Sequence, residues 1–144
     1  MYTNLIENFL TIEECNFIIN QYKLNSQPVF NSTNVIERRC MFVESIQFDI
    51  KDKIINKLNE LNIFDKQYYN IQYFVFNSYE VENELALHSD SSEVARGGTI
   101  TGIIQLNEDY VGGDFYYLLN DVEIMLPKKK GSIFIFDSNI LHGV

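Results

Sequence analysis

Basic residues are scarce in this sequence. Only 11 of its 144 residues are lysine or arginine, against 20 aspartates and glutamates, so the formal net charge is −9. Nucleic-acid binding draws much of its affinity from basic side chains that contact phosphates. The one basic cluster, Lys128 to Lys130 beside Gly131, is interpreted as a solvated turn. Nucleic acid is therefore not expected as a partner.

Cysteines and long apolar runs are also lacking. Two cysteines, Cys15 and Cys40, are too few for a disulfide framework or a thiolate metal site. Cys15 falls on the apolar face of a predicted helix and is interpreted as a core residue. No apolar run approaches transmembrane length, and the N-terminus lacks a signal-peptide pattern. These features predict a cytoplasmic location and no membrane partner.

Apolar and aromatic residues are abundant by contrast. They make up 46% and 14% of the chain, with eleven phenylalanines and nine tyrosines, which is enough apolar surface for one compact core. The length predicts a single domain over residues 1–144. Within it, residues 1–65 are predicted to form a helical support region and residues 68–144 a β-barrel core.

The first predicted helix begins at a capping box. Thr11 and Glu14 form the Thr-x-x-Glu pattern, and Leu10 and Cys15 are placed to act as a hydrophobic staple. Apolar residues then repeat at helical spacing, which predicts a helix over residues 12–24.

A loop and a second helix are predicted next. Residues 25–34 are rich in turn-forming residues, so we expect a loop. Residues 50–61 carry apolar residues on one helical face, with Asp49 as the expected N-cap.

From residue 68 onward the sequence changes to short β-type runs separated by turns. Six or seven short strands at this spacing predict a sandwich or barrel rather than alternating βα units. The runs are YYNIQYFVF, ELALHSD, TITGIIQLN, GGDFYYLL, VEIMLP, GSIFIFD and the terminal LHGV.

Both histidines of the chain fall in these runs. His88 and Asp90 form a His-x-Asp pair, whose side chains would project to one face of an extended strand. His142 follows far downstream, after the alternating GSIFIFD strand. A His-x-Asp pair closed by one distant histidine has the form of the two-histidine, one-carboxylate triad, which suits non-haem Fe(II). Zinc is less expected, because catalytic zinc commonly uses three histidines or two with a glutamate.

The spacing alone leaves a simpler interpretation open. His88 could be an exposed strand residue that is hydrogen-bonded to Asp90, and His142 a terminal residue with no role.

Several further motifs occur around the three residues in one order. They are SYEVENELALHSD with the His-x-Asp pair, TITGIIQLNEDYVGGDFYY with Leu-Asn and a Gly-Gly turn, and LPKKKGSIFIFDSNILH with a Pro-and-Gly turn and the distal histidine. The stretch from Tyr73 to Val144 resembles the prolyl 4-hydroxylase-like branch of the 2-oxoglutarate/Fe(II) dioxygenases. The segment NFLTIEECNFII resembles the opening helix of that branch.

The resemblance implies a fold. It is the double-stranded β-helix, a jelly-roll in which two antiparallel sheets roll into a barrel with iron near the open end and the helices outside the larger sheet. Gly112, Gly113 and Gly131 would be turn residues with positive φ. Phe115, Tyr116 and Tyr117 alternate, so one set would line the barrel and the other would face outward.

The resemblance also implies site residues and cofactors. His88, Asp90 and His142 would bind Fe(II), and 2-oxoglutarate and O₂ would take the remaining metal positions, with ascorbate as a further possible cofactor. Tyr79 would hydrogen-bond the cosubstrate. Thr99 and Arg96 would face the pocket, although Arg96 could equally be a surface charge beside a glycine turn.

One feature departs from the family pattern. The family carries a lysine or arginine beyond the distal histidine, on the last strand, that pairs with the distal carboxylate of 2-oxoglutarate. No lysine or arginine follows His142 in this sequence. Either the chain is a truncation that lacks the last strand, or another cation such as Arg96 substitutes.

The resulting prediction is an oxidoreductase, a 2-oxoglutarate-dependent dioxygenase that hydroxylates a peptidyl proline or another protein side chain and yields succinate and CO₂. Two alternatives remain: a non-catalytic jelly-roll module that binds a metal or a peptide, and a hydroxylase of a small metabolite. The sequence carries no signal of oligomeric state.

Overall fold

The computed structural model describes residues 3–23, 27–31, 34–42, 48–60, 74–90 and 100–144. Within these ranges the chain forms two helices, α1 (Ile12–Tyr22) and α2 (Phe48–Glu60). The strands in the same ranges are β1 (Thr3–Ile6), β2 (Gln27–Asn31), β3 (Asn34–Phe42), β4 (Phe74–Ser78), β5 (Ile100–Ile104), β6 (Tyr116–Leu119), β7 (Val122–Met125), β8 (Ile133–Asp137) and β9 (His142–Gly143).

Helix α1 begins as the capping box predicts. The Thr11 hydroxyl accepts a hydrogen bond from the Glu14 N–H at 3.2 Å, and the Glu14 carboxylate accepts one from the Thr11 N–H at 3.0 Å. Such a cap stabilises a helix by about 1 kcal/mol. Leu10 and Cys15 are both buried in one core cluster, which agrees with the predicted staple and with Cys15 as a core residue.

Helix α2 is present, but its predicted cap is wrong. The helix runs over Phe48–Glu60, so Asp49 lies in the first turn and not before it. An acidic residue is favoured in both places, because the first turn carries the positive end of the helix dipole. Among the described residues, neither helix is long and apolar enough to cross a membrane.

The loop predicted over residues 25–34 is also wrong at residues 27–31 and 34, while residues 25–26 and 32–33 lie outside the described residues. Strand β2 and the start of β3 lie there and pair in antiparallel register, with a bulge between Val29 and Phe30. Turn-type residues dominate this segment, whereas β2 pairs with β3, the next strand along the chain, and the far half of β3 pairs with β4. Strand formation follows such cross-strand pairing more than local propensity. The described part of the predicted helical support region therefore also contributes three strands, β1, β2 and β3.

The remaining strands confirm a mainly β, antiparallel protein with few helices. The described strands form three sheets, in the orders β1-β8-β5, β2-β3-β4 and β7-β6-β9. Six of the predicted runs, all except ELALHSD, contain a strand. ELALHSD forms no regular strand; it contributes one isolated bridge between His88 and His142.

Strand β8 is buried on both faces and joins two apolar clusters. Ile133 and Ile135 pack into a cluster with α1, α2 and β4, whereas Phe134 and Phe136 pack into a second cluster with β6. Alternate side chains of a strand point to opposite faces, so the Ile/Phe alternation of this run serves two environments. The end of β8 therefore provides a rigid support for residues in the second cluster.

The aromatic run of β6 is oriented by the same cluster. Phe115 and Tyr117 are each 8% exposed and face inward, while Tyr116 is half-buried on the other face. The predicted positive φ angles are present at Gly112, Gly113 and Gly131.

Candidate metal centre

His88 and His142 are brought together by the backbone. Each donates its N–H to the carbonyl of the other, at 3.0 and 2.8 Å. Residues paired in this way lie directly opposite each other, and their side chains share one face. Strand β9, which carries His142, also pairs with β6. The isolated bridge therefore adds the His88 segment to the edge of the β7-β6-β9 sheet.

The His88 segment contains an irregularity next to the histidine. Leu85 and Val144 exchange both of their backbone hydrogen bonds, at 3.0 and 3.1 Å. Ala86 and Leu87 therefore lie opposite the single residue Gly143, which is the arrangement of a β-bulge. Bulges often occur beside functional sites, where they redirect a side chain.

Both imidazole rings have their Nδ1 atoms engaged by backbone. His88 Nδ1 lies 2.9 Å from the Ala86 carbonyl oxygen, and His142 Nδ1 lies 3.0 Å from that of Ile140. A carbonyl oxygen only accepts, so each Nδ1 carries a proton and donates it. In the neutral ring the lone pair is then on Nε2, which is free to bind a metal.

Asp90 completes the group. Its Oδ1 lies 3.6 Å from His88 Nε2, and its Oδ2 lies 3.7 Å from His142 Nε2. These distances are too long for hydrogen bonds, so the simpler interpretation of a His88–Asp90 hydrogen bond does not describe the structure. Donor atoms from the three residues all lie within 4.8 Å of one another.

This donor set fits a divalent metal ion. Donors that bind one ion at about 2 Å lie up to about 4 Å apart, and both carboxylate-to-imidazole distances fall in that range. Two neutral imidazoles and one carboxylate form the two-histidine, one-carboxylate set typical of non-haem Fe(II).

The surroundings of the three residues differ. The His142 side chain is only 4% exposed, whereas those of His88 and Asp90 are 36% and 29% exposed. Phe115 stacks on the His142 ring with centroids 5.6 Å apart, and Phe136 contacts it edge-on at 5.0 Å. The group is therefore closed on the His142 side and accessible from the side of His88 and Asp90.

Burial also adjusts the charge of His142. Desolvation lowers its pKa below the ordinary value of 6.5, and the neighbouring His88 acts in the same direction. The Ile140 carbonyl and Asp90 oppose this lowering of the pKa and only partly offset it. The ring is therefore neutral at neutral pH, which is the state that binds a metal.

The other predicted site residues are less well defined. Tyr79 follows β4 directly and is half-buried, and its contact with a cosubstrate stays a prediction. Thr99 and Arg96 lie outside the described residues.

Sequence reasoning missed two hydroxyl residues at the centre, Thr101 and Ser138. The Thr101 hydroxyl donates to Asp90 Oδ2 at 2.7 Å and lies 3.2 Å from the Ser138 hydroxyl. The only signal in the sequence was the Thr-x-Thr spacing with Thr99, because alternate residues of a strand share a face.

Comparison with solved structures identifies the fold. A prolyl-4-hydroxylase from Pseudomonas putida superposes with a TM-score of 0.73, covering 99% of this chain and 84% of that one, at 15% identity. The viral collagen prolyl hydroxylase of Paramecium Bursaria Chlorella virus-1, solved with 2OG, gives 0.69, with 100% and 88% covered and 17% identity. The chain has the prolyl hydroxylase fold. A third prolyl hydroxylase, from Trichoplax adhaerens and in complex with a hypoxia inducible factor peptide fragment, gives 0.74, with 99% and 76% covered and 14% identity.

The prolyl hydroxylase fold agrees with the resemblance that the motifs predicted. The sequence itself matches no family model and no curated protein. The likeness therefore lies in the backbone, at identities that establish the fold alone.

Proposed function

We propose that this protein is an Fe(II)- and 2-oxoglutarate-dependent dioxygenase that hydroxylates a C–H bond. The observation that carries the proposal is the convergence of His88, Asp90 and His142, whose donor atoms lie within 4.8 Å of one another. Each Nδ1 is hydrogen-bonded to a backbone carbonyl, so the Nε2 atoms are the ones that face the carboxylate. Two imidazole nitrogens and a carboxylate that converge in this way suit a cation.

The residues of the chain have separate parts in this proposal. The Nε2 atoms of His88 and His142 bind the ion, and Asp90 supplies a negative charge. Phe115 and Phe136 exclude water from the His142 side. Bound Fe(II), with 2-oxoglutarate and O₂, would supply the oxidising power, and the protein supplies position and shielding.

The proposed substrate is a peptidyl proline or another protein side chain. One neighbour of the same fold is in complex with a peptide fragment, and another was solved with 2OG. In this chain the accessible side of the group, at His88 and Asp90, is where such a peptide would approach. Tyr79, Thr99 and Arg96 remain the proposed cosubstrate residues.

The finer description of the fold belongs to the same proposal. We propose one domain over residues 1–144 in which the antiparallel sheets close as a double-stranded β-helix. The two apolar faces of β8 support this arrangement, since one face packs on the helices and the other into the second cluster.

Anaerobic spectroscopy with turnover tests the proposal. Purified protein with Fe(II) and 2-oxoglutarate should develop a visible charge-transfer band, and with O₂ and a proline-containing peptide it should form succinate. Asp90→Asn should abolish both signals, while Asp109→Asn, at an exposed position in another loop, should leave them unchanged. Iron-loaded protein that gives neither band nor succinate, with peptides or small substrates, would refute the dioxygenase.

A further inference from the structure

The Asp90 carboxylate is held from the opposite sheet. Asp90 lies beyond the His88–His142 bridge and outside any regular strand. Its hydrogen bond from Thr101, at 2.7 Å, connects it to β5. We propose that Thr101 is a positioning residue for the metal centre and that Ser138 orients it. This inference rests on the proposed function.

The directions of the two hydrogen bonds follow from the charge of Asp90. An ionised carboxylate only accepts, so the single proton of the Thr101 hydroxyl is donated to Oδ2. Thr101 Oγ1 must then accept from Ser138, 3.2 Å away. The Ser138 residue is 4% exposed, and a buried hydroxyl without a partner is costly. The Ser138 hydroxyl therefore orients the Thr101 hydroxyl, and the Thr101 hydroxyl orients the Asp90 carboxylate.

The strand register explains why these hydroxyls reach the site. Thr101 on β5 is paired with Phe136 on β8, so both side chains point to the same face. Phe136 contacts the His142 ring on that face. Ser138 follows Phe136 just beyond the end of β8. One face of the sheet thus contacts both His142 and Asp90.

The hydrogen bond has a consequence for metal binding. Because Oδ2 accepts from Thr101, the carboxylate cannot rotate freely, and Oδ1 keeps its position 3.6 Å from His88 Nε2. Partners of metal ligands that act in this way typically change metal affinity by about 10- to 100-fold when removed.

The test compares hydroxyl variants of similar shape. Thr101→Val removes the hydroxyl and keeps the branched side chain, Thr101→Ser restores the hydroxyl, and Ser138→Ala removes the second donor. Ser132→Ala is the matched control, because Ser132 is also a buried serine, 3% exposed, and lies at the other end of β8. Its hydroxyl donates to the Lys129 carbonyl.

Three measurements are made on each protein: Mn(II) affinity by calorimetry, the Co(II) absorption spectrum, and Tm without metal. Thr101→Val should weaken Mn(II) binding by about 10- to 100-fold and change the Co(II) spectrum. Thr101→Ser should restore both properties. Ser138→Ala should cause a smaller loss of affinity, and Ser132→Ala none.

The outcomes separate this inference from the proposed function. If wild-type protein binds no Mn(II), the metal centre is refuted, and the positioning role with it. If wild type binds and Thr101→Val binds equally well, or if Thr101→Ser is as weak as Thr101→Val, only the positioning role is refuted. If Thr101→Val fails to fold, Ser138→Ala is compared with Ser132→Ala instead. Equal Mn(II) affinities in these two variants would refute the positioning role.

Discussion

The three donor residues differ in how the protein holds them. His142 is enclosed by Phe115 and Phe136 and lies on a paired strand. His88 is held by the backbone bridge and by its Nδ1 hydrogen bond to the Ala86 carbonyl, Asp90 accepts a hydrogen bond from Thr101, and both are partly exposed. His142 is therefore held by packing, while the more exposed pair is accessible to ligands.

His142 should make the stability of the metal-free protein sensitive to acid. Its folded-state pKa lies below the ordinary 6.5, so between these two values the unfolded chain binds more protons than the folded one. The free energy of unfolding should then be fully retained above about pH 6.5 and fall as the pH drops through the folded-state pKa. Urea denaturation between about pH 8 and pH 5 measures this dependence.

The control for the pH dependence is His142→Gln, which removes the titrating group. Its stability should vary less across the same pH range, and because His88 is present in both proteins, the difference reports His142. Equal pH dependence in the two proteins would contradict the assignment.

The metal residues could be predicted from the sequence because the chain has only two histidines, and one begins a His-x-Asp motif. Thr101 and Ser138 could not, since threonines and serines are common and their partners depend on strand register. Contact between Thr101 and Asp90 requires the pairing of β5 with β8, which local sequence does not specify.

At the scale of elements, short-range signals predicted helix α1 and the short strands well. The segment of residues 25–34 was misread because its turn-type residues indicate a loop, although β2 pairs there with the strand that follows it. The ELALHSD run was misread as a strand because alternation alone does not show that a partner is in register. The single bridge and the bulge at Ala86–Leu87 are the actual structure.

Strand β9 leaves no space for a side chain at Gly143, the residue after His142. A Cβ at Gly143 would lie 2.7 Å from the Tyr116 hydroxyl oxygen and 2.8 Å from the Leu85 carbonyl oxygen. The carbonyl belongs to backbone that is hydrogen-bonded to Val144 and cannot move without breaking those bonds. Gly143→Ala should therefore displace β9, lower the free energy of unfolding by about 1–3 kcal/mol and weaken Mn(II) binding through His142.

The control for Gly143→Ala is Gly112→Ala. Gly112 has a φ of +75° but no atom within 4 Å of an added Cβ, so this variant should lose stability through backbone strain alone. Its Mn(II) affinity should be that of wild type. Wild-type Mn(II) affinity in Gly143→Ala would show that β9 tolerates the side chain.

The capping box of α1 allows stability to be changed without touching the metal centre. Thr11→Ala removes the hydroxyl that accepts from Glu14 and should lower the free energy of unfolding by about 1 kcal/mol. Thr11→Ser should retain most of the stabilisation that the cap provides, and the Mn(II) affinity of both variants should be unchanged. A loss of Mn(II) affinity in Thr11→Ala would show that α1 and the metal centre are coupled.

At the scale of the whole molecule, β8 separates a structural end from a functional end. The lysine turn precedes β8, and its side chains lie partly in solvent while each contacts another part of the chain. Lys128 pairs with Asp114 at 3.0 Å, Lys129 contacts Glu7, and Lys130 contacts Asn16. These contacts hold the N-terminal segment and a loop at one end, while Ser138 and the metal centre lie at the other.

The metal ion should stabilise the whole fold, because its ligands depend on two different sheets. His88 and His142 belong to the side of β7-β6-β9, whereas Asp90 is held by β5 of the β1-β8-β5 sheet. An ion bound to all three opposes separation of these sheets and binds only the folded chain. At 100 times its Kd, such a ligand adds about 2.7 kcal/mol to the free energy of unfolding, which corresponds to a rise in Tm on the order of 10 °C.

Thermal unfolding with Mn(II), and then with excess chelator, should show this rise in Tm and its reversal. Asp90→Asn should show neither, and a Tm of wild-type protein that does not respond to Mn(II) would mean that the three residues do not bind the ion as one group.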